Sequence, residues 1–268
     1  MTPSLFDRPA VLFLPASNPR AIAKARESAA DLVILDLEDA VKAEDKESAR
    51  AAAVEAVASE WPMPVAVRIN GAHSEWHGHD VVAMMHSKVE LIVVPRAESR
   101  QDLSFVRNQT GRPIAAMIET AKGVLAVQQI ADEAAALIAG TNDLAADLHL
   151  PRDAGRAPLQ MALQSIVLAA RANGIPVFDG VFNSLEDEKG LAAEAAEGRR
   201  LGFDGKSLIH PAQIAACHAA FAPSKEELAR AERLVEAATG GAERFEGEMI
   251  ERMHVETAER LLARSRRA

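Results

Sequence analysis

The chain has 268 residues, a length that suits one large barrel or two small domains and supplies ample material for a core. Its formal net charge of −9 argues against nucleic acid as a partner, because phosphate binding needs an excess of Lys and Arg. No apolar run reaches the roughly 18 residues that a membrane span needs. The single cysteine, Cys217, excludes an intrachain disulfide framework. We therefore expect a cytoplasmic protein with neither nucleic-acid nor membrane partners.

Eight short apolar runs alternate along the chain with Ala-rich segments of helical spacing. The runs are rich in Val, Ile or Leu and mostly apolar on both faces, which is typical of buried parallel strands. The predicted strands are 10–14, 32–35, 65–69, 91–94, 114–118, 136–139, 175–178 and 204–209. The predicted helices are 19–30, 46–59, 78–86, 101–109, 123–133, 158–173, 186–201 and 211–219.

This alternation predicts an α/β fold, a (β/α)₈ TIM barrel over residues 1–222. A doubly wound open sheet is the alternative, which the lack of a GxGxxG motif after the first strand weakens.

The sequence of residues 223–268 predicts a helical extension after the barrel. Ser224 and Glu227 have the spacing of a capping box, Gly240 and Gly241 end that helix, residues 243–249 are irregular, and 253–267 form a final helix.

Two carboxylates follow neighbouring strands of the predicted barrel, where active sites of this fold lie. Glu119 follows the fifth strand and Asp143 the sixth, so both can reach one point near the barrel axis. Two carboxylates with waters and substrate oxygens are the usual way to hold Mg²⁺, and the lack of His in the pair disfavours Zn²⁺. The alternative role of such residues is to cap the following helix.

Other polar residues at the same rim predict a site for an anionic substrate. Arg68 ends the third strand, and its planar guanidinium can bind a carboxylate or enolate through two hydrogen bonds. It can equally form a structural ion pair with Glu38 or Asp39 on the adjacent strand. The segment containing Asn142 opens a helix, whose free N–H groups can receive the other end of the substrate.

Two further groups favour structural interpretations. His73, His77 and His79 lie in a Gly-containing segment, and a solvated loop explains them better than a metal site. Cys217 lies in the eighth helix with no partner that would make it a nucleophile, so we expect a small core residue.

Several motifs together resemble those of the citrate lyase beta-subunit-like family. They are, in order, LFLPASNP, LVILDLEDAV, VAVRIN, VPRAES, AMIETAKGV, FDGV, GFDGKSLIHPAQI and FEGEMIE, spanning about residues 8–262. Relatives of this type include malyl-CoA and citramalyl-CoA lyases and, more distantly, class II pyruvate aldolases. DLEDAV and GFDGKSLIHP in one chain are specific, and the resemblance implies the TIM barrel.

The resemblance also implies roles for individual residues. Glu119 and Asp143 match the two Mg²⁺ ligands, Arg68 matches the substrate-binding arginine, and Glu38 with Asp39 matches an acidic pair at the floor of the site. Two positions depart from the pattern. Asn142 stands where many relatives carry an acid. Glu251 replaces the Asp that the tail of many relatives supplies to a neighbouring subunit, which puts its acid–base role in question.

The implied activity is Mg²⁺-dependent cleavage or formation of the carbon–carbon bond of a 3-hydroxy-acyl thioester, carried by CoA or an acyl-carrier protein. Arg68 would stabilise the thioester enolate, and Glu251 would exchange a proton near its carbon. A thioesterase on the same scaffold and a beta subunit of a citrate lyase complex remain alternatives. The apolar residues of segment 223–268 and the family pattern predict a lid on a neighbouring subunit of a homo-oligomer, with a trimer as the leading expectation.

Overall fold

A computed structural model describes residues 5–265 and divides the chain into two compact units. The first ends at Ala220 and contains the barrel, and the second begins at Phe221. Within the described range, no helix is both long and apolar enough to cross a bilayer.

Eight parallel strands close into a barrel in chain order, with β8 pairing back to β1. This confirms the TIM barrel predicted from the sequence and excludes the open sheet. The strands are β1 (Ala10–Pro15), β2 (Leu32–Asp36), β3 (Val65–Arg68), β4 (Leu91–Val94), β5 (Ile114–Ile118), β6 (Ala136–Ala139), β7 (Val177–Asp179) and β8 (Gly205–Leu208).

Helices follow the strands, and short 3₁₀ turns lie at Ala43–Asp45, Ala157–Leu159 and Pro211–Gln213. The predicted helix 123–133 is wrong in detail, because it is two short helices that meet at Ala126. The helices are α1 (Pro19–Arg26), α2 (Lys46–Ala58), α3 (His77–Met85), α4 (Arg100–Thr110), α5 (Ala121–Leu125), α6 (Val127–Ala131), α7 (Thr141–Asp147), α8 (Gln160–Ala172), α9 (Glu188–Leu201) and α10 (Ile214–Phe221).

The barrel interior is filled by alternate residues of its strands, as the period-two geometry of a strand requires. This leaves the polar strand ends at one rim as the place for chemistry. The interior cluster includes Val11, Phe13, Leu32, Ile34, Ala66, Leu91, Val93, Ala115, Met117, Ala136, Ile138 and Phe178.

The C-terminal unit consists of α11 (Lys225–Ala237), a hairpin of β9 (Glu243–Phe245) and β10 (Glu248–Ile250), and α12 (Arg252–Ser265). The predicted capping box is confirmed, since Glu227 N–H donates to Ser224 Oγ at 3.1 Å and Ser224 N–H donates to the Glu227 carboxylate at 2.7 Å. The prediction of an irregular segment at 243–249 is wrong, because these residues form the hairpin.

The apolar residues of the C-terminal unit largely bury one another. Leu234 and Ile250 are buried in one cluster with Ala231 and Ala258, and Val235, Phe245, Val255, Leu261 and Leu262 pack against it. Much of the set that seemed from the sequence to need an outside surface therefore has a small core of its own. Met249 and Met253 remain exposed, at 72% and 58%.

Candidate active site

A cavity of about 380 Å³ lies at the carboxyl ends of the barrel strands and contains most of the predicted site residues. Its charged lining combines four carboxylates with one guanidinium. The residues that line it are Phe13, Leu14, Pro15, Asp36, Asp39, Ala40, Arg68, Met117, Glu119, Ala139, Gly140, Thr141, Asn142, Asp143, Val181, Asn183, Ser207 and Ile209.

Arg68 is held by a two-pronged ion pair with Asp36. Arg68 Nε donates to Asp36 Oδ1 and Nη2 donates to Oδ2, both at 2.6 Å, and both side chains are buried. The third nitrogen, Nη1, lies 3.0 Å from Glu38 Oε2 and 3.9 Å from Asp39 Oδ2. The structural ion pair left open by the sequence therefore exists, but its main partner is Asp36, which is not among the residues predicted from the sequence.

The two carboxylate oxygens of Glu119 differ in their contacts. Its Oε1 accepts the backbone N–H of Arg96 at 2.6 Å, while Oε2 is buried with no hydrogen-bond partner among the described residues. Burial raises the pKa of Glu119 to about 7, against the opposing charge of Arg68. A Cβ added at Gly140 would clash with the Cβ and Oε2 of Glu119, so only glycine leaves room for this carboxylate.

The N–H that fixes Glu119 depends on an unusual backbone conformation. Arg96 has a φ of +46°, in the left-handed region that non-glycine residues seldom occupy. The preceding residue, Pro95, has no N–H, and the ladder bond to β5 resumes with Ala97 N–H and the Met117 carbonyl at 3.1 Å. Arg96 therefore lies just after β4, at an irregularity between the strand ladder and Ala97. There its backbone N–H points toward the side chain of Glu119.

Asp143 and Asn142 lie in the first turn of α7, on the same cavity. Asp143 is half-buried, and burial, followed by repulsion from Asp39, raises its pKa. Asn142 is exposed and exchanges hydrogen bonds with Asn183, at 3.2 Å and 2.8 Å. The cavity thus brings Glu119 and Asp143 together, as predicted, and places Asn142 at its edge.

Several carboxyl groups are gathered around Arg68. The carboxylates of Asp36, Glu38, Asp39 and Glu119 all lie near one guanidinium. Burial raises the pKa of Glu38 to about 8, although Arg68 lowers it. A divalent cation fits this donor set, because it would engage the unpartnered Glu119 Oε2 and favour the ionised form of the carboxyl groups. No three His, Cys, Asp or Glu side chains within residues 5–265 form a ready-made metal cluster.

A buried network behind the cavity supports the loop that carries Glu38. Lys46 Nζ donates to the carbonyls of Leu37 and Glu38, both at 2.7 Å, and to Asn70 Oδ1 at 2.6 Å. Asn70 Nδ2 in turn donates to Asp80 at 2.6 Å. These contacts fix the backbone at the ends of β2 and β3, where Arg68 and its acidic partners lie.

The histidines form no site in the structure. The expectation of a solvated loop is wrong for His77, which is buried at the start of α3 with Nδ1 2.8 Å from the Asn70 carbonyl oxygen. His73 and His79 are exposed. Cys217 is buried, which raises its pKa to about 12, and it is a core residue as expected.

Glu251 lies in the C-terminal unit, between β10 and α12, and is exposed. Its backbone N–H donates to His254 Nδ1 at 3.0 Å. Its acid–base role therefore stays a prediction.

The chain is similar over nearly its whole length to proteins of known kind. A (3S)-malyl-CoA thioesterase of Cereibacter sphaeroides is 40% identical over 95% of this chain and 93% of its own. The citrate lyase subunit beta of Escherichia coli is 31% identical over 96% and 93%.

A solved structure agrees in fold. The protein CitE of Mycobacterium tuberculosis, in complex with magnesium, acetoacetate and coenzyme A, has a TM-score of 0.87 at 34% identity, covering 97% of this chain and 99% of its own. The family model for HpcH/HpaI aldolase/citrate lyase matches residues 9–211. The chain therefore belongs to the HpcH/HpaI aldolase/citrate lyase family.

Proposed function

We propose that this protein is a Mg²⁺-dependent carbon–carbon lyase that cleaves or forms a 3-hydroxy-acyl thioester. The observation that carries the proposal is Glu119, whose buried and unpartnered Oε2 lies on the same cavity as Asp143 and Arg68. The magnesium named in complexes of related structures is bound by those proteins, and the carboxylate-rich cavity here supports the same ion.

Glu119 and Asp143 would hold the metal through their carboxylate oxygens. When bound, Mg²⁺ supplies Lewis-acid polarisation of the substrate oxygens. Arg96 N–H keeps Glu119 Oε1 occupied, so Oε2 is the oxygen left for the ion. Gly140 keeps the space beside that oxygen free.

Arg68 would orient the substrate and stabilise negative charge. Because Asp36 holds two of its nitrogens, the guanidinium is fixed before substrate arrives and need not reorganise. In cleavage, a base removes the proton of the 3-hydroxyl group, and the bond between C2 and C3 breaks. Its electron pair moves onto the thioester as an enolate, and the hydroxyl carbon leaves as the carbonyl of a 2-oxo acid. Asp39 is the base candidate, because it is the member of the acidic pair that lines the cavity.

Thioester hydrolysis is the second candidate, favoured by the 40% identity to a malyl-CoA thioesterase. The two reactions give different products from malyl-CoA. Carbon–carbon cleavage gives acetyl-CoA and glyoxylate, whereas hydrolysis gives malate and free CoA. Mass spectrometry after incubation with Mg²⁺, with EDTA and Glu119→Ala as controls, separates them. Malate and CoA without glyoxylate would overturn the lyase proposal.

We further propose that segment 223–268, which makes up most of the C-terminal unit, acts as a lid on a neighbouring copy of the chain. The assembly would be a homo-oligomer, with a trimer as the first candidate. Glu251 would exchange the proton at the enolate carbon. Support comes from the exposure of Glu251, Met249 and Met253 in the chain taken alone. Mixing inactive Arg68→Ala chains with inactive Glu251→Ala chains should restore part of the activity. A fully active monomer by light scattering would contradict this arrangement.

A further inference from the structure

Ser207 is a buried polar side chain whose hydroxyl has no partner within residues 5–265. It lies on β8, is 2% exposed, and its hydroxyl oxygen makes no hydrogen bond with any described residue. Buried hydroxyl groups are nearly always satisfied, because an unmade hydrogen bond in the interior is unfavourable. A hydroxyl without a partner therefore calls for a physical explanation.

The other described side chains with an unpartnered buried atom are satisfied elsewhere. They all bear charge, and each has another contact: Glu38 with Arg68, Arg50 with Asp80, Arg112 with the Ser87 carbonyl, Glu119 with Arg96 N–H, Glu133 with Arg107, and Arg156 with Asp179. Of this set, Glu119 and Ser207 are the two that line the active-site cavity. Ser207 thus shares its situation with the carboxylate assigned to the metal.

The register of the barrel points Ser207 into the barrel interior, because it pairs with Val11 of the interior cluster. The preceding residue, Lys206, points outward to Glu194 of α9 at 2.7 Å, so Ser207 points inward, as alternation along a strand requires. Strand β8 lies between β7 and β1 in the closed order. In this order β8 lies three strands from β3, which ends in Arg68, and from β5, which precedes Glu119, and two strands from β6, which precedes Asp143.

A substrate held by Arg68 and the Glu119–Asp143 pair would occupy the cavity that Ser207 also lines, with its other end within the same space. Under the proposed function, the end of the substrate held by Arg68 and the two carboxylates is the 2-oxygenated acid. The other end of the substrate is the thioester. Phe13 and Met117 of the interior cluster also line this cavity. A hydroxyl is a neutral donor, which suits a carbonyl oxygen. A χ1 rotation between staggered positions moves Oγ while the strand stays in place.

We propose that Ser207 is a substrate-binding residue whose hydroxyl group donates a hydrogen bond to the thioester carbonyl oxygen of the acyl substrate. This inference rests on the proposed function and adds a contact at the thioester end of the substrate. The same contact serves cleavage and hydrolysis, because negative charge develops on that oxygen in both reactions.

The test is Ser207→Ala, with acetyl-CoA and glyoxylate as separate calorimetric probes in the presence of Mg²⁺. Acetyl-CoA should bind roughly 3- to 10-fold more weakly, as expected for one lost hydrogen bond. Glyoxylate carries no thioester, so its affinity should be unchanged. The Tm of the variant without ligand should equal or exceed that of the parent, because no protein hydrogen bond is lost.

The control is Ser165→Ala on α8, which removes a hydroxyl that donates to the Met161 carbonyl at 2.8 Å. It should leave both affinities unchanged. Equal acetyl-CoA affinity in Ser207→Ala and parent, or a Tm below that of the control, would overturn the role of Ser207 alone. A parent protein that binds neither probe would overturn the proposed function and this inference with it.

Discussion

Replacing Arg68 with Lys tests whether the guanidinium group binds substrate or only stabilises the folded chain. The two hydrogen bonds to Asp36 and the contact to Glu38 use three different nitrogens, whereas Lys has one. Lys keeps the charge, so Asp36 stays paired. It loses at least one charge-assisted hydrogen bond, which is a loss of about 1.5–3 kcal/mol. The same loss in the transition state would lower kcat/KM by roughly 10- to 150-fold.

Arg68→Met supplies the matched control, because it fills similar volume but removes the charge. It leaves Asp36, which is 1% exposed, without its cation, and breaking a buried pair in this way lowers stability by about 3–5 kcal/mol. Urea unfolding and steady-state kinetics should be measured on both variants. A Lys variant with reduced stability and the kcat/KM of the parent would show that Arg68 is structural, and the substrate-binding assignment would be refuted.

Three further predictions concern the carboxylates and their support. Glu119→Ala and Asp143→Ala should each abolish Mg²⁺ binding by calorimetry and leave the circular dichroism spectrum unchanged; undiminished affinity in both variants would contradict the assignment. Arg96→Asn should retain Mg²⁺ affinity, because Asn tolerates the left-handed region, whereas Arg96→Val should weaken it by roughly tenfold through loss of the amide contact; equal affinities would show that the backbone conformation is irrelevant. Glu38 binds its proton more tightly in the folded chain, where its pKa is about 8, than in the unfolded chain, where the ordinary value is 4.5. The free energy of unfolding should therefore fall as pH rises from 5 to 8. Glu38→Gln should remove that part of the slope in urea titrations, and identical slopes would argue against the raised pKa.

The barrel was predictable from the sequence because its strands are apolar on both faces, whereas its helices are apolar on one face only. Runs such as Leu32–Asp36 and Ile114–Ile118 are buried throughout, so pattern and structure coincide. The β9–β10 hairpin was not predictable in the same way. Its turn places Glu246 at a φ of +50° beside Gly247 at +91°, and Glu is an unusual residue for that conformation.

The candidate site was predictable where function uses side chains at strand ends. Glu119, Asp143 and Arg68 follow from their positions at the rim alone. The role of Asp36 could be recognised only from the register of the strands, because Asp36 of β2 is paired directly with Arg68 of β3. Neither the strand-end rule nor residue type could favour Asp36 over Glu38 and Asp39 in the same motif.

Two features of the site leave no trace in residue type. The Arg96 contact is made by a backbone amide, so any residue able to adopt the conformation could supply it. Ser207 lies inside an ordinary strand, and its importance depends on the absence of a partner in three dimensions. Contacts of these two kinds depend on the folded geometry, and only the assembled barrel reveals them.

The arrangement of charge explains why these features occur together. Glu119 is buried and Glu38 is partly buried beside it, and the raised pKa of each carboxyl shows that the folded chain disfavours its ionised form. Such a cluster lowers stability near neutral pH, so physical chemistry alone does not favour it. A bound divalent cation reverses the sign of that electrostatic effect by favouring the ionised carboxylates. Glu119 Oε2 and the Ser207 hydroxyl are then the same kind of feature, because both line the cavity and neither has a hydrogen-bond partner among the described residues.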